Sequence, residues 1–279
     1  MKKLIRFLLI IILILSLLII YARYGGTRGL ITKEYPIETT IDDSFDGLKI
    51  VHFSDLHYLR ITNKETTQSI IEEINLLNPD IVVFTGDLID KDYKPNDKDI
   101  SNLKELLTSI KSKYGKYSVL GEHDIKVEDT IKDIYISSNF TLLDNNYDII
   151  YGDNNNKLFI GGLSNNPDID KVMNYFTDNE DINYKIILVH EPDYIDTITS
   201  KYNNINLVLA GHSHNGQINI PYIKKLLLPE GSKKYYNNYY KVNNTNLYIS
   251  SGLGESKINF RLFNKPSINF YRINKIGTK

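Results

Sequence analysis

The chain has 279 residues, 33 basic against 34 acidic side chains, a formal net charge of −1 and 42% hydrophobic residues. That supports one large core, and the balanced charge gives no bulk attraction for nucleic acid, so no nucleic-acid partner is expected. Cysteine is absent, which excludes disulfides, thiolate metal sites and a cysteine nucleophile; any metal must be held by His, Asp, Glu or amide oxygens.

The first segment is apolar. Lys2 and Lys3 precede Leu4-Ile5-Arg6, and from residue 7 to residue 22 the polar interruptions are Ser16 and Tyr21. A helix over that run is ~24 Å long, or ~28 Å from Leu4 with Arg6 snorkelling, against a hydrocarbon core of ~30 Å. A cleaved signal peptide shares this layout, but Tyr21-Ala22-Arg23-Tyr24 offers no small-x-small cleavage site. Residues 1–22 therefore read as one transmembrane helix that makes the lipid bilayer a partner and places the protein in the cell membrane, single-pass. Basic residues flank both ends, and the export-like layout puts the domain outside the cytoplasm. Residues 23–46, with Gly25, Gly26, Gly29 and Pro36, read as a linker with one strand near 37–41. The folded domain is expected over 47–279.

Within it, strands and helices alternate. Leu48-Lys49-Ile50-Val51-His52-Phe53 reads as a strand that delivers Ser54-Asp55-Leu56-His57. Asp55 and His57, one residue apart, can supply an anionic oxygen and a neutral nitrogen to one ion, whereas His52 lies inside the strand and reads as a structural histidine. Ile70, Ile71, Ile74 and Leu77 have helical spacing, ended by Asn78-Pro79. A β-branched strand over 80–85 then leads to Gly86-Asp87. A second helix carries Ile100, Leu103, Leu106, Leu107 and Ile110, and a strand over 116–120 leads to Gly121-Glu122-His123-Asp124 before a helix over 125–136. Residues 140–163 read as a pair of hairpin-like strands. The run 185–189 delivers His190, and the run 205–210 delivers Gly211-His212-Ser213-His214, whose two histidines can turn toward one point. Beyond Gln217 the pattern is strand-like, clearest at 247–252 and 268–273.

Such alternation predicts an α/β (α+β) fold with ligand groups at one edge of a sheet. Each loop has an ordinary reading as turn or capping chemistry, but polar residues recur at every strand end. Laid end to end, Asp55-x-His57, Gly86-Asp87, Gly121-Glu122-His123-Asp124, His190 and Gly211-His212-Ser213-His214 resemble the calcineurin-like metallophosphoesterase superfamily, and within it the membrane-anchored bacterial phosphodiesterase branch. The resemblance spans about 47–275 and includes Ser251-Gly252-Leu253-Gly254, Arg261-Leu262 and Pro266.

The resemblance implies a four-layer β-sandwich flanked by helices and two divalent metal ions, Mn, Fe, Zn or Mg. By it, Asp55, His57 and His214 hold the first metal, Glu122, His190 and His212 the second, and Asp87 bridges them. His123 serves the leaving oxygen, with Asp124 orienting its imidazole. The implied reaction is hydrolysis of a phosphoester substrate, in particular a phosphodiester, by a metal-bridging hydroxide. A lipid-linked or cell-envelope substrate, such as a nucleotide-activated glycolipid, follows from the anchor. One position departs from the family: Glu122 stands where Asn is usual. That leaves room for a weakened, metal-binding relative, and a phosphomonoesterase or nucleotide phosphatase is the other alternative.

Overall fold

The computed structural model describes residues 1–60, 62–177, 182–255 and 258–277. Its elements in chain order begin with helix α1 (Lys2–Ile20), strand β1 (Ile31–Thr39), β2 (Leu48–Phe53), α2 (Lys64–Leu76), β3 (Ile81–Phe84), α3 (Asp97–Thr108), β4 (Gly115–Ser118), α4 (Glu128–Ser137) and β5 (Phe140–Leu142). There follow β6 (Asn146–Tyr151), β7 (Lys157–Gly162), α5 (Ile169–Met173), β8 (Tyr184–Val189), α6 (Ile195–Lys201), β9 (Leu207–Ala210), α7 (Ile223–Leu227), β10 (Tyr239–Val242), β11 (Thr245–Ile249) and β12 (Ser267–Lys275).

The strands form two six-stranded sheets, ordered β1-β12-β2-β3-β4-β5 and β10-β11-β9-β8-β7-β6. Side chains alternate across each strand, so one strand serves two cores. Ile50, Ile81, Val83 and Tyr117 face Leu158, Ile160, Ile186, Leu188, Leu207 and Leu209 between the sheets. Their neighbours Val51, Phe53, Val82 and Phe84 pack outward on the apolar faces of α2, α3 and α4. On the opposite side Phe159, Ile187, Val189 and Val208 pack against α5 and α6. The result is the four-layer sandwich with helices on both outer faces. His52 is a core histidine, its ring nitrogens 3.1 Å from Tyr271 Oη and 2.9 Å from Thr85 Oγ1.

In the first sheet β2 to β5 run parallel, and in the second β7, β8, β9 and β11 do. The loops leaving β2, β3, β4, β8 and β9 therefore emerge at one rim, where parallel sheets expose their binding crevice.

Two regions differ from the sequence reading. The segment read as linker contributes β1, nine residues paired in parallel with β12 from Ile31↔Ser267 to Thr39↔Lys275. As an edge strand it carries Lys33, Glu34 and Pro36, the residues that mask a strand signal and that an edge tolerates. The region after Gln217, read as strand-like, instead contains the short α7 and extended irregular chain before β10.

The helix α1 has no buried residue. Its apolar side chains point outward all round, a pattern suited to lipid and not to water. Helical geometry continues to Gly25, and there the chain docks on the domain. Arg261 N–H donates to the Ala22 carbonyl at 2.9 Å, and a Cβ on Gly26 would lie 1.7 Å from the Arg261 carbonyl oxygen. Only glycine allows the two backbones to approach so closely.

Candidate metal centre

The predicted side chains converge at the shared rim because the loops interlock. Asp55 N–H donates to the Gly86 carbonyl at 2.9 Å and His57 N–H to the Asp87 carbonyl at 3.2 Å, joining the loops after β2 and β3. The loop after β4 joins through His123 N–H, which donates to Asp87 Oδ1 at 2.9 Å. A Cβ on Gly121 would sit 2.1 Å from that same oxygen. Asp55, His57, Asp87, His212 and His214 all have positive φ, between 44° and 64°. Left-handed backbone at non-glycine residues costs of order 1 kcal/mol or more apiece and gathers at functional sites.

Three groups of donor atoms result, each within 4.8 Å of one another: Asp55, His57 and His214; His57, Asp87 and His123; and Asp87, His190 and His212. Asp87 belongs to two of them. Its Oδ2 lies 3.9 Å from His57 Nε2 and 3.4 Å from His190 Nε2. Asp55 Oδ1 lies 3.6 Å from His214 Nε2, and the His57 and His214 rings stack with centroids 5.4 Å apart.

The hydrogen-bond chemistry of these residues calls for a cation. His190 Nδ1 faces the Thr85 carbonyl at 2.7 Å and His212 Nε2 the Glu230 carbonyl at 2.5 Å. A carbonyl only accepts, so each of those nitrogens carries a proton, and His190 Nε2 and His212 Nδ1 are left facing each other at 3.2 Å beside Asp87, where a bound cation would replace a proton held by His190 Nε2. Both ring nitrogens of His57 and Nδ1 of His214 are buried with no hydrogen-bond partner. Such orphaned buried groups are costly unless an ion takes them up.

Electrostatics agree. Burial pushes the His57 imidazole down to about 4, and burial with neighbouring positive charge holds His212 and His214 below their usual range, so all three are neutral near pH 7, the form that can ligate a metal. Burial raises Asp55 to about 6. Burial also works against a charged His190, yet the carboxylates of Asp87 and Asp55 outweigh it and raise that group to about 10: the rim draws positive charge to this point.

Two predicted residues stand elsewhere than expected. Glu122 lies outside all three groups; its half-exposed carboxylate is 3.5 Å from His123 Nε2. Asp124 does not touch the His123 ring. Its carboxylate is fully buried and accepts the backbone N–H groups of Asp87 and Gly121, both at 2.9 Å, and of Leu88 at 2.8 Å. The carboxylate at the other ring nitrogen of His123 is that of Asp90, with Oδ2 3.6 Å from His123 Nδ1, 3.5 Å from His57 Nδ1 and 2.7 Å from Arg60 Nη1. Its only sequence signal is its spacing, three residues beyond Asp87. Burial works against a charge on His123, and Glu122, Asp87 and Asp90 together raise its proton affinity.

Behind the rim, Arg261 is fully buried and donates to the Ser251, Gly252 and Gly254 carbonyls and to Glu255 Oε1. It fixes the loop packed against Asp55, His57 and His214. In front of the rim a cleft of ≈ 200 Å³ is lined by Arg60, Asp87, Lys91, Glu122, His123 and His212.

A four-layer sandwich with His and Asp donors at one rim defines a metallophosphoesterase. The sequence model described as "Calcineurin-like phosphoesterase" matches residues 48–216, and the chain belongs to that family. It is 32% identical over 262 residues to the metallophosphoesterase YkuE of Bacillus subtilis (strain 168), covering 91% of this chain and 88% of that one. It is also similar to a transmembrane protein with metallophosphoesterase domain from Danio rerio, 25% identical over 275 residues, spanning 92% of this chain and 60% of the longer relative. Among solved structures it resembles the calcineurin-like phosphoesterase YfkN from Bacillus subtilis, with 14% identity, TM-score 0.45 and coverage of 81% and 90%.

Proposed function

We propose that the protein is a dinuclear, metal-dependent phosphodiesterase that works on lipid-linked or cell-envelope phosphoesters from a single-pass membrane anchor, with its domain outside the cytoplasm. The observation that carries the proposal is the meeting of His190 Nε2, His212 Nδ1 and Asp87 Oδ2, with the two nitrogens 3.2 Å apart and the carboxylate oxygen 3.4 Å from His190 Nε2.

In this reading Asp55, His57 and His214 hold one divalent ion, His190 and His212 hold a second, and Asp87 serves both. Divalent ions there acidify a water and neutralise phosphate charge. His123 delivers a proton to the leaving oxygen from the edge of the cleft. Arg60 and Lys91, on the cleft wall, attract the anionic substrate. The ligand set of oxygen and imidazole suits Mn, Fe, Zn or Mg.

The test is hydrolysis by the full-length chain in detergent, after chelation and readdition of Mn, Zn, Mg or Fe, with bis(p-nitrophenyl) phosphate compared against p-nitrophenyl phosphate. The proposal expects metal-dependent turnover favouring the diester. A preference for the monoester sinks the diesterase assignment. A second reading, a relative that binds metal with little turnover, draws on Glu122 standing outside the ligand groups; metal content near two per chain without hydrolysis of either ester would select it.

A further inference from the structure

Beside the metal centre lies a second cavity of ≈ 210 Å³, lined by His214, Gly216, Ile218, Leu227, Pro229 and Ile258 among others. His214 and Pro229 also line the polar cleft, so the two spaces meet at a metal-site histidine. The polar space carries cations and the metal-site residues, and the other is walled mainly by apolar side chains. An amphiphile with a phosphate at one end fits this pairing; a free nucleotide or sugar phosphate leaves the second space filled with poorly satisfied water.

Large apolar side chains are also exposed on α7 and on the chain after Ile258, the segments that supply Leu227 and Ile258 to the slot. Tyr222 is 91% and Leu226 81% exposed, and Ile223, Leu227, Ile258 and Phe263 are also exposed. Soluble surfaces seldom gather large apolar groups in this way without a partner. The same rim joins the end of the apolar helix. The Phe263 and Tyr21 rings lie 6.4 Å apart, and Arg261 N–H bonds to the Ala22 carbonyl. The chain from Ile258 to Leu262 pairs with Gln217 to Asn219 at the slot, through Leu262 N–H to the Gln217 carbonyl at 3.1 Å and Asn219 N–H to the Leu262 carbonyl at 2.9 Å. Exposed apolar side chains thus stand both at the docked end of the helix that reads as the anchor and on the segments that form the slot opening on His214. Lys225, exposed on the same short helix α7, adds attraction for anionic headgroups.

We infer that the Tyr222–Phe263 rim seats in the bilayer that holds the anchor and that the slot takes an alkyl or acyl chain of a lipid whose phosphate lies at the metal centre. The inference rests on the phosphoesterase reading and narrows its substrate to amphiphilic phosphoesters.

Two measurements on the full-length chain test it. The sequence has no tryptophan, so Leu226→Trp and Tyr222→Trp each introduce a single indole at an exposed position. In vesicles of phosphatidylglycerol and phosphatidylcholine with brominated acyl chains, their fluorescence should be quenched strongly, while Tyr151→Trp, exposed on β6, should not be. Equal quenching at all three positions, or none at 222 and 226, overturns the docking. For the slot, methyl, butyl and hexyl phosphate are compared as inhibitors of bis(p-nitrophenyl) phosphate hydrolysis. Inhibition should strengthen about two- to fourfold per methylene. Leu227→Asp and Ile258→Asp should flatten the series, read as the ratio of hexyl to methyl phosphate inhibition within each variant. A flat series in a hydrolysing wild-type enzyme overturns the slot alone. Absence of hydrolysis with every metal overturns the phosphoesterase reading, and the substrate class with it, whereas the quenching result stands by itself.

Discussion

Asp90 Oδ2 stands 3.6 Å from His123 Nδ1, close enough to hold charge on that imidazole, and the position expected for this part, Asp124, instead binds three backbone N–H groups. The two carboxylates should therefore fail differently. Asp90→Asn should keep the fold and lower turnover by about 10- to 100-fold, as loss of a residue supporting a metal or catalytic histidine does. Asp124→Ala leaves three buried N–H groups unpaired at about 1–3 kcal/mol each, so it should lower the thermal midpoint sharply. An Asp124→Ala protein that melts like wild type but has lost turnover would restore its expected catalytic role.

Asp87 joins two of the three donor groups. Asp87→Ala should lose most bound metal, because its Oδ2 lies 3.9 Å from His57 Nε2 and 3.4 Å from His190 Nε2 and so serves both groups. His123→Ala should keep its metal and lose about 10²- to 10⁴-fold in turnover, since its part is proton transfer. Elemental analysis beside kinetics separates the two, and a metal-free His123→Ala protein would make that histidine a ligand.

Glu122 points at His123 and is half exposed. Glu122→Ala should retain wild-type metal stoichiometry, whereas a variant that arrives with one ion fewer would mean that its flexible side chain swings inward to ligate.

Stability should respond to alkali through Lys33. Burial, with Arg261 and Lys224 nearby, holds its ammonium at about 8, below the usual 10.5. It donates to Ser251 Oγ at 2.6 Å and to Asn238 Oδ1 at 3.2 Å. Between those two pH values the unfolded chain binds more protons, so this group's contribution rises with pH, and below pH ~8 its cost is fully present. Wild type should gain up to about 3 kcal/mol relative to Lys33→Met on going from pH 7 to 10.5. Urea melts at several pH values check it, and parallel curves for the two proteins would remove Lys33 as the cause.

The membrane orientation is open to a direct trial. Protease added to intact cells should remove the domain and leave the helix. Protection until lysis would reverse the orientation, and free domain in the medium would mean that the helix is cleaved off.

Much of the centre was legible because strand-end loops of parallel sheets bring distant residues to one edge, so Asp55, His57, Asp87, His190, His212 and His214 could be grouped before any geometry was known. Asp90 was missed because a buried carboxylate that supports histidines has no spacing rule of its own. Asp124 was misplaced for a related reason: sequence adjacency to His123 suggests contact, yet the tight turn after Gly121 sends its side chain back to the loop N–H groups. The strand β1 was only partly recognised. Its charged and proline residues look like a tether, and its identity depends on a partner, β12, at the far end of the chain. The apolar residues around α7 carry no periodic pattern, so their grouping beside Phe263 is visible only in three dimensions.

The pairing of β1 with β12 also bears on how the molecule is made. β1 lies at the sheet edge and, among the described residues, pairs with β12 alone, so the first strand after the apolar helix waits for the last strand described. During synthesis the helix is available to the membrane while the sheet still lacks β12, the strand between β1 and β2. Non-local parallel pairing of this kind forms late. The apolar helix should thus be complete while this edge of the sheet is still open, and closure of the sheet becomes a late step of folding.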